Sequence, residues 1–270
     1  MSTNTAWDLN ALMVPTKAAA IFAAQENSLF MNGLILPNLV IPAGSFSAQV
    51  PVFGAGSAQT ITEADHTTGN NAGDLIVVPT TATKVNINLE LFGSRDIIRD
   101  LGHVDTADLG RVLGQSVASA YDSSVVATMN TATGTAAVTA GEEIEAMFDA
   151  AAAIRGAGEM GQLFAVVSTT AAAELLKQIA GAAFAGGDYQ TSALVNGFVG
   201  KIAGITVFQS SHMTGKGVVF GQDALRTVSQ DGMKVEMQRR AEAVGTDVVA
   251  SYAGGSGLID QSRAVKLVAA

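Results

Sequence analysis

Val85, Ile87, Leu89 and Leu91 alternate with Lys84, Asn86, Asn88 and Glu90 through the stretch ATKVNINLELFG at 82–93. A period of two sends successive side chains to opposite faces, so this stretch predicts a half-buried strand. Beyond it, Leu109, Leu113, Val117, Tyr121, Val125 and Met129 recur at every fourth position, supported by Val112 and Ala120. That spacing predicts a helix from about Asp105 to Met129, roughly 35 Å long at 1.5 Å per residue. Asp105 suits the N-cap and Asp108 the first turn, where the helix dipole favours an acid. A row of fourth positions drifts round the axis, so the buried stripe wraps as the helix runs.

Weaker patterns surround these two. Residues 1–15 carry Trp7, Met13 and Pro15 without periodicity and read as an arm, whereas KAAAIFAAQENSLFMNG, from Lys17 to Gly33, favours helix through its alanines. Prolines and glycines then break any helix, and two apolar pieces, SAQVPVF and LIVVP, flank a polar tip from Gly54 to Gly73. This region reads as a long two-stranded excursion, which is marginal in water unless something else holds it. A charged piece, SRDIIRDLG, follows the 82–93 strand, and TATGTAAVTAG follows the long helix as a connection.

Thr139 with Glu142 fits a capping box for a second helix that runs to Arg155 and stops at Gly156 and Gly158. LFAVVS, apolar throughout, predicts a strand buried on both faces, and STTAAAELLKQIAG predicts a third helix from Ser168 to Gly181. With the strands GITVFQS and GVVFG, this alternation from 140 to 227 predicts an inserted α/β subdomain. The late pieces MKVEMQRRAE, TDVVASYAG and AVKLVA are expected to pair with the 82–93 strand as a mostly antiparallel sheet beneath the long helix.

Composition narrows the function classes. Of 270 residues, 48% are hydrophobic and only 14% charged, which is little charge for the surface of a free monomer. No apolar run reaches the about 20 residues of a membrane span, because Asp149 and Arg155 interrupt the alanine-rich one. The first residues lack the basic start and apolar core of a signal peptide. A chain that covers its surface with copies of itself is therefore expected. With no cysteine, disulfides, thiolate metal sites and a cysteine nucleophile are excluded. A net charge of −9 disfavours direct nucleic-acid binding, and the only adjacent basic pair, Arg239 and Arg240, is followed by Glu242.

Candidate chemistry is sparse. GFVGKIAGITVFQSSHM at 197–213 looks like a phosphate loop, but Gly197 and Gly200 are separated by two residues where four are required, and Lys201 is followed by Ile202 rather than Ser or Thr. Gly197, Gly200 and Gly204 are instead expected to mark tight turns. Ser256 in GGSGL lacks the glycine spacing of a hydrolase elbow. His66, His103 and His212 lie far apart, and Glu63, Asp65 and His66 lack calcium-loop spacing. The acids of EEIE at 142–145 suit a helix start and a solvated face. Arg95, Asp96, Arg99 and Asp100 fit either local ion pairs or pairs across a subunit boundary.

The order of these elements resembles the major capsid protein family of tailed bacteriophages, the Hong Kong ninety-seven-type fold that encapsulin shells share. The residues that carry the resemblance are the arm, the extended loop, VNINLEL feeding a long helix, the inserted subdomain and the turn GKIAGITVFQS. The resemblance implies an α+β fold with an N-terminal arm at 1–43 and an extended loop at 44–83 lying over a neighbouring subunit. It further implies a peripheral domain with spine helix at 84–135 and 228–270, and an axial domain at 136–227 whose loops near 182–200 face the centre of each capsomer. It implies a shell that self-assembles from pentamers and hexamers in the host bacterial cytoplasm and encloses DNA without sequence-specific binding. The other partners implied are a portal, a separate scaffolding protein and a decoration protein, with no membrane. No catalytic residue, cofactor or metal is expected. Glu63, Asp65, Arg95, Asp96, Arg99, Asp100, Arg239 and Arg240 are the expected subunit-interface residues. Residues 44–83 hold no lysine, so lysine cross-linking through that loop is not expected, and little room precedes the arm for a cleavable scaffolding segment. A cellular nanocompartment shell of the encapsulin kind, or an enzyme with an unrecognised site, are the alternatives.

Overall fold

The computed structural model describes residues 6–33, 35–53, 82–99, 106–181, 198–202, 204–242 and 244–270. In chain order these form α1 (Ala6–Asn27), β1 (Asn38–Val40), β2 (Ser47–Phe53), β3 (Ala82–Asn88), β4 (Glu90–Arg99) and α2 (Thr106–Met129). Then come β5 (Gly134–Val138), α3 (Glu143–Gly156), β6 (Leu163–Ser168), α4 (Thr169–Gly181), β7 (Phe198–Ile202), β8 (Ile205–Ser210) and β9 (Gly217–Gly221). The chain closes with β10 (Leu225–Ser229), β11 (Lys234–Arg240), β12 (Gly245–Leu258), a single 3-10 turn (Gln261–Arg263) and β13 (Ala264–Ala269). The architecture is mixed α+β, with one five-stranded sheet, one six-stranded sheet and a two-stranded ribbon among the described residues.

Helix α2 is the long helix expected, and all six residues of its fourth-position row are buried. Its second buried row differs from expectation. Val112 is 58% exposed and Ala120 is exposed, and Gly110, Gly114, Ala118, Asp122 and Val126 take the inner side instead. The glycines are there because α1 crosses at backbone contact. A Cβ at Gly110 would lie 2.4 Å from the Thr16 carbonyl oxygen, and one at Gly114 2.2 Å from that of Ala20. Asp105, the expected N-cap, lies outside the described residues.

The same contact corrects the N-terminal reading. Residues 6–15 are not an irregular arm but the first half of α1, which runs through Pro15. Its buried face is built of Thr16, Ala20, Ala23 and Ala24, small residues with almost no hydrophobic periodicity, so helix formation here follows from docking rather than pattern. The helix ends at Asn27, not Gly33, because Ser28 turns the chain into a bond with Asp122 of α2.

The strand expected at 82–93 is two strands serving two sheets. β3 pairs with β2 in the ribbon, from Ser47↔Asn88 to Phe53↔Ala82, and β4 pairs with β12 from Glu90↔Gly254 to Arg99↔Gly245. The break at Leu89 reverses the facing of the side chains. Ile87 is buried, yet Leu91 is 76% exposed, and Phe92 takes the inward place. The charged piece SRDIIRD therefore begins as strand, in β4, and SAQVPVF pairs with ATKVNIN, while LIVVP lies outside the described residues.

The five-stranded sheet has the order β1-β10-β12-β11, with β4 on the other edge of β12. Here β11, β12 and β4 pair antiparallel beneath α2 as expected. β13 does not join them. It lies in the six-stranded sheet β5-β13-β9-β6-β8-β7, between β9 and a strand at 134–138 where a plain connection is expected. The expected capping box at Thr139 is also absent. Glu142 precedes α3 without a side-chain cap, its N–H bonded to the Thr139 carbonyl through a turn at Gly141. β6, α4 and β8 form as expected, and every residue of β6 is buried.

Two cores explain that double burial. Phe164 and Val166 face a core shared with α1, α2 and the five-stranded sheet, while Leu163, Ala165 and Val167 face a second core beneath α3 and α4. A third, small cluster of Ile41, Ala48, Val50, Ile87 and Val228 roots the ribbon to the body. Gly114→Ala is expected to lower stability by about 1–3 kcal/mol, since the new methyl meets backbone that has no rotamer to yield. Gly156→Ala, with open space around its Cβ position, is the control and should melt close to wild type in the same calorimetric experiment.

Candidate assembly surfaces

The opening candidate, GFVGKIAG, forms the hairpin between β7 and β8. Gly204 at φ +82° occupies the left-handed region in its turn, and Gly200 at φ +145° sits where the β7–β8 register shifts. Lys201 is exposed. The glycines serve geometry, and Gly197 lies outside the described residues. Ser256 donates to Thr128 Oγ1 at 2.8 Å and ties β12 to α2. Its neighbouring glycines answer the crowding above them. A Cβ at Gly254 would meet Tyr252 and Tyr121, one at Gly255 the Asn88 carbonyl at 2.2 Å, and one at Gly257 Ile87 at 2.6 Å. Phe92, Tyr121 and Tyr252 stack edge to face over this run, with centroids 5.6 and 5.1 Å apart. Burial pushes the Tyr121 hydroxyl well above the ordinary phenol range and raises that of Tyr252, as befits structural tyrosines.

Among the described residues, the nearest approach to a nucleophile and base is Ser119 Oγ with His212 Nε2, 3.1 Å apart in an open groove of about 630 Å³ between the end of α1, α2 and the end of β8. A catalytic pair needs a third group to orient the base. Asp122, one turn on, is turned elsewhere. Oδ1 accepts from Ser28 Oγ at 2.6 Å and Oδ2 from the Leu29 N–H at 2.9 Å, while Ser28 Oγ accepts from Phe30 and Met31 N–H groups. Burial raises the Asp122 carboxyl above its ordinary range, and the Ser28 and Leu29 donors partly oppose that shift. This cluster is a clamp on the exit of α1. Among the described residues no group of three His, Asp or Glu side chains could hold a metal ion, and His66 and His103 lie outside them.

A second polar cluster ties α3 to α4 and the start of β9. Lys216 Nζ lies 3.3 Å from Glu143 Oε1 and 2.5 Å from Glu174 Oε2, and Gln178 donates to Glu143. The Lys216 bond holds the Glu174 carboxyl below its ordinary value of 4.5, and Glu174 raises the Lys216 ammonium above 10.5.

Of the expected interface residues, Arg95, Asp96, Arg239 and Arg240 lie in β4 and β11. Arg95 does not pair with its sequence neighbours. Its fork grips Asp247 of β12, Nη2 to Oδ2 at 2.6 Å and Nε to Oδ1 at 3.3 Å, and Arg240 Nη1 approaches the same carboxylate at 3.6 Å. Asp96 accepts from the N–H of Ile97. Arg95, Arg239, Arg240, Asp247, Glu236 and Val249 line an open groove of about 400 Å³ on the side of the sheet away from the shared core. Sequence reasoning missed Asp247, whose role appears only once β4 and β12 are in register. The Arg99 side chain, Asp100, Glu63 and Asp65 lie outside the described residues.

The sequence matches no protein-family model and no curated protein. The fold, by contrast, is shared with solved shell subunits. The chain is similar to the capsid subunit of Cyanophage P-SCSP1u, with a TM-score of 0.66 at 21% identity over 87% of this chain and 86% of that one. Against the virus-like particle of Pyrococcus furiosus the TM-score is 0.65 at 12% identity, covering 93% and 96%. Against the mature capsid of bacteriophage PhiM1 it is 0.58 at 14% identity, covering 90% and 86%.

Two outcomes follow from the polar clusters. Asp122→Ala leaves Ser28 Oγ and the Leu29 N–H without their acceptor and should cost about 1–3 kcal/mol in chemical denaturation. Glu174, with its lowered value, stabilises the fold above pH 4.5 and loses that contribution as pH falls through its folded value; Lys216, with its raised value, contributes below pH 10.5 and loses it as pH rises further. Glu174→Gln should therefore flatten both the acid and alkaline limbs of a melting-temperature profile.

Proposed function

We propose that this chain is a major capsid protein of a tailed bacteriophage, a structural subunit that assembles with copies of itself into the shell around the genome. The observation that carries this is the shared fold over most of the chain's length with subunits of phage capsids, taken with a chain whose described clusters all have structural work. The ribbon β2–β3 is held to the body by one small apolar cluster, and two strands alone are marginal in water, so a neighbouring subunit is its natural support. In this proposal the five-stranded sheet with α2 is the peripheral part, and the six-stranded sheet with α3 and α4 is the axial part. Sheet membership would assign 264–269 to the axial part and 225–227 to the peripheral one. Portal, scaffolding and decoration proteins, and assembly in the host cytoplasm, belong to the same proposal. Among the described residues no helix is long and apolar enough to cross a membrane.

The similarity to a virus-like particle from an archaeon supports a second proposal, a shell of the encapsulin kind that encloses something other than a genome. Full-length protein expressed alone and with its gene neighbours is expected to give closed shells or capsomer rings by light scattering and electron microscopy. DNA inside particles formed with the neighbours marks a capsid, and a protein cargo marks a compartment. A stable monomer or dimer in both preparations overturns both.

A further inference from the structure

The groove on the outer side of the β4–β12–β11 sheet carries more cationic than anionic side chains among the described residues. Arg95 and Arg240 share one carboxylate, Asp247, whose oxygens already meet the Arg95 fork, and the Arg240 side chain remains 44% exposed at 3.6 Å. With Arg239 and Glu236 also lining it, the groove sets three guanidinium groups against two carboxylates, a local positive excess facing outward in a protein of net charge −9. On the same face of β4 as Arg95 stand Ile97, 36% exposed and paired in register with Asp247, and, further along the strand, Leu91, 76% exposed. A concave surface with arginines and exposed aliphatic residues suits a convex ridge bearing carboxylates and one large apolar side chain.

Helix α3 presents such a ridge. Its buried side is Glu143, Ala146, Met147, Ala150, Ala151 and Ile154. Glu142, Glu145 and Asp149, spaced by three and four, are exposed along the opposite side, and Phe148 beside them is 52% exposed. The ridge lies over the second core and the groove lies on the far side of the first, so the two surfaces point away from the core shared by both sheets. Unlike patches on separate faces make a heterologous, head-to-tail contact, the kind that closes rings when the rotation between copies closes.

We propose that the arginine groove of one copy receives helix α3 of the next, with Glu145 and Asp149 meeting Arg240 and Phe148 lodging by Ile97. The contact rests on the shell assignment above, and a charge swap separates the two. Full-length wild type, Arg240→Glu, the pair Glu145→Arg with Asp149→Arg, and the triple variant are compared by light scattering and electron microscopy, with circular dichroism to establish that each is folded. Each one-sided change should lower the assembled fraction about tenfold or more, since it sets like charges against each other across every copy of the contact. The triple variant should recover assembly to within about twofold of wild type. One-sided variants that assemble as wild type overturn the contact. So does a triple variant that stays unassembled, all the more if pairing Arg240→Glu with Glu63→Arg and Asp65→Arg restores particles, which would assign the groove to residues 54–81. Failure of wild type itself to assemble overturns the shell assignment and the contact together.

Discussion

Backbone-to-backbone contact between α1 and α2 is the constraint from which the arrangement of the N-terminal half follows. Gly110 and Gly114 remove the side chains that would hold the helices apart, and α1 answers with Thr16 and Ala20. Four and eight residues after Gly114, α2 carries Ala118 and Asp122, the latter seizing the chain as it leaves α1. Beyond that, Tyr121 and Val125 meet the five-stranded sheet and Met129 ends within the same core. One helix thus changes partner along its length by changing side-chain size, and the drift of its fourth-position row rotates the buried stripe from one partner to the next.

Most long elements were legible because burial there follows a period. The row of α2, the apolar run of β6 and the helix α4 each formed where the sequence predicts them. The failures share a cause. α1 docks through small residues, so its buried face has no hydrophobic signature, and the spacing Gly110, Gly114, Ala118 on α2 was the only trace of its partner. The alternation from Val85 to Leu91 was real, but a single residue, Leu89, hands the chain from ribbon to sheet and inverts the facing beyond it. Period alone cannot detect such a handover. β5 and β13 were misplaced because strand partners are set by tertiary pairing that five- or six-residue segments do not encode.

The candidate surface was half legible. Arg95 was identifiable in a charged piece and Arg240 in a strand-like one, yet their common partner Asp247 lies 152 positions from Arg95 and emerges only from the register of β4 with β12. The absence of nucleotide-binding and elbow spacing in the sequence agrees with what the glycines do: Gly204 turns a hairpin, and Gly254, Gly255 and Gly257 let Tyr121, Asn88 and Ile87 lie against β12.

β13 enters the six-stranded sheet between β5 and β9, pairing with β5 from Val265↔Gly134 onward. Until residues 264–269 have been made, β5 has no neighbour in that sheet and one edge of β9 stands open. Translation therefore delivers the strand that joins them after every other strand of the sheet. A chain released early is left with two open strand edges and an incomplete second core, the kind of exposed edge that invites mispairing. The topology thus makes residues 264–269 the closing strand of a sheet whose other described strands all come earlier in the chain.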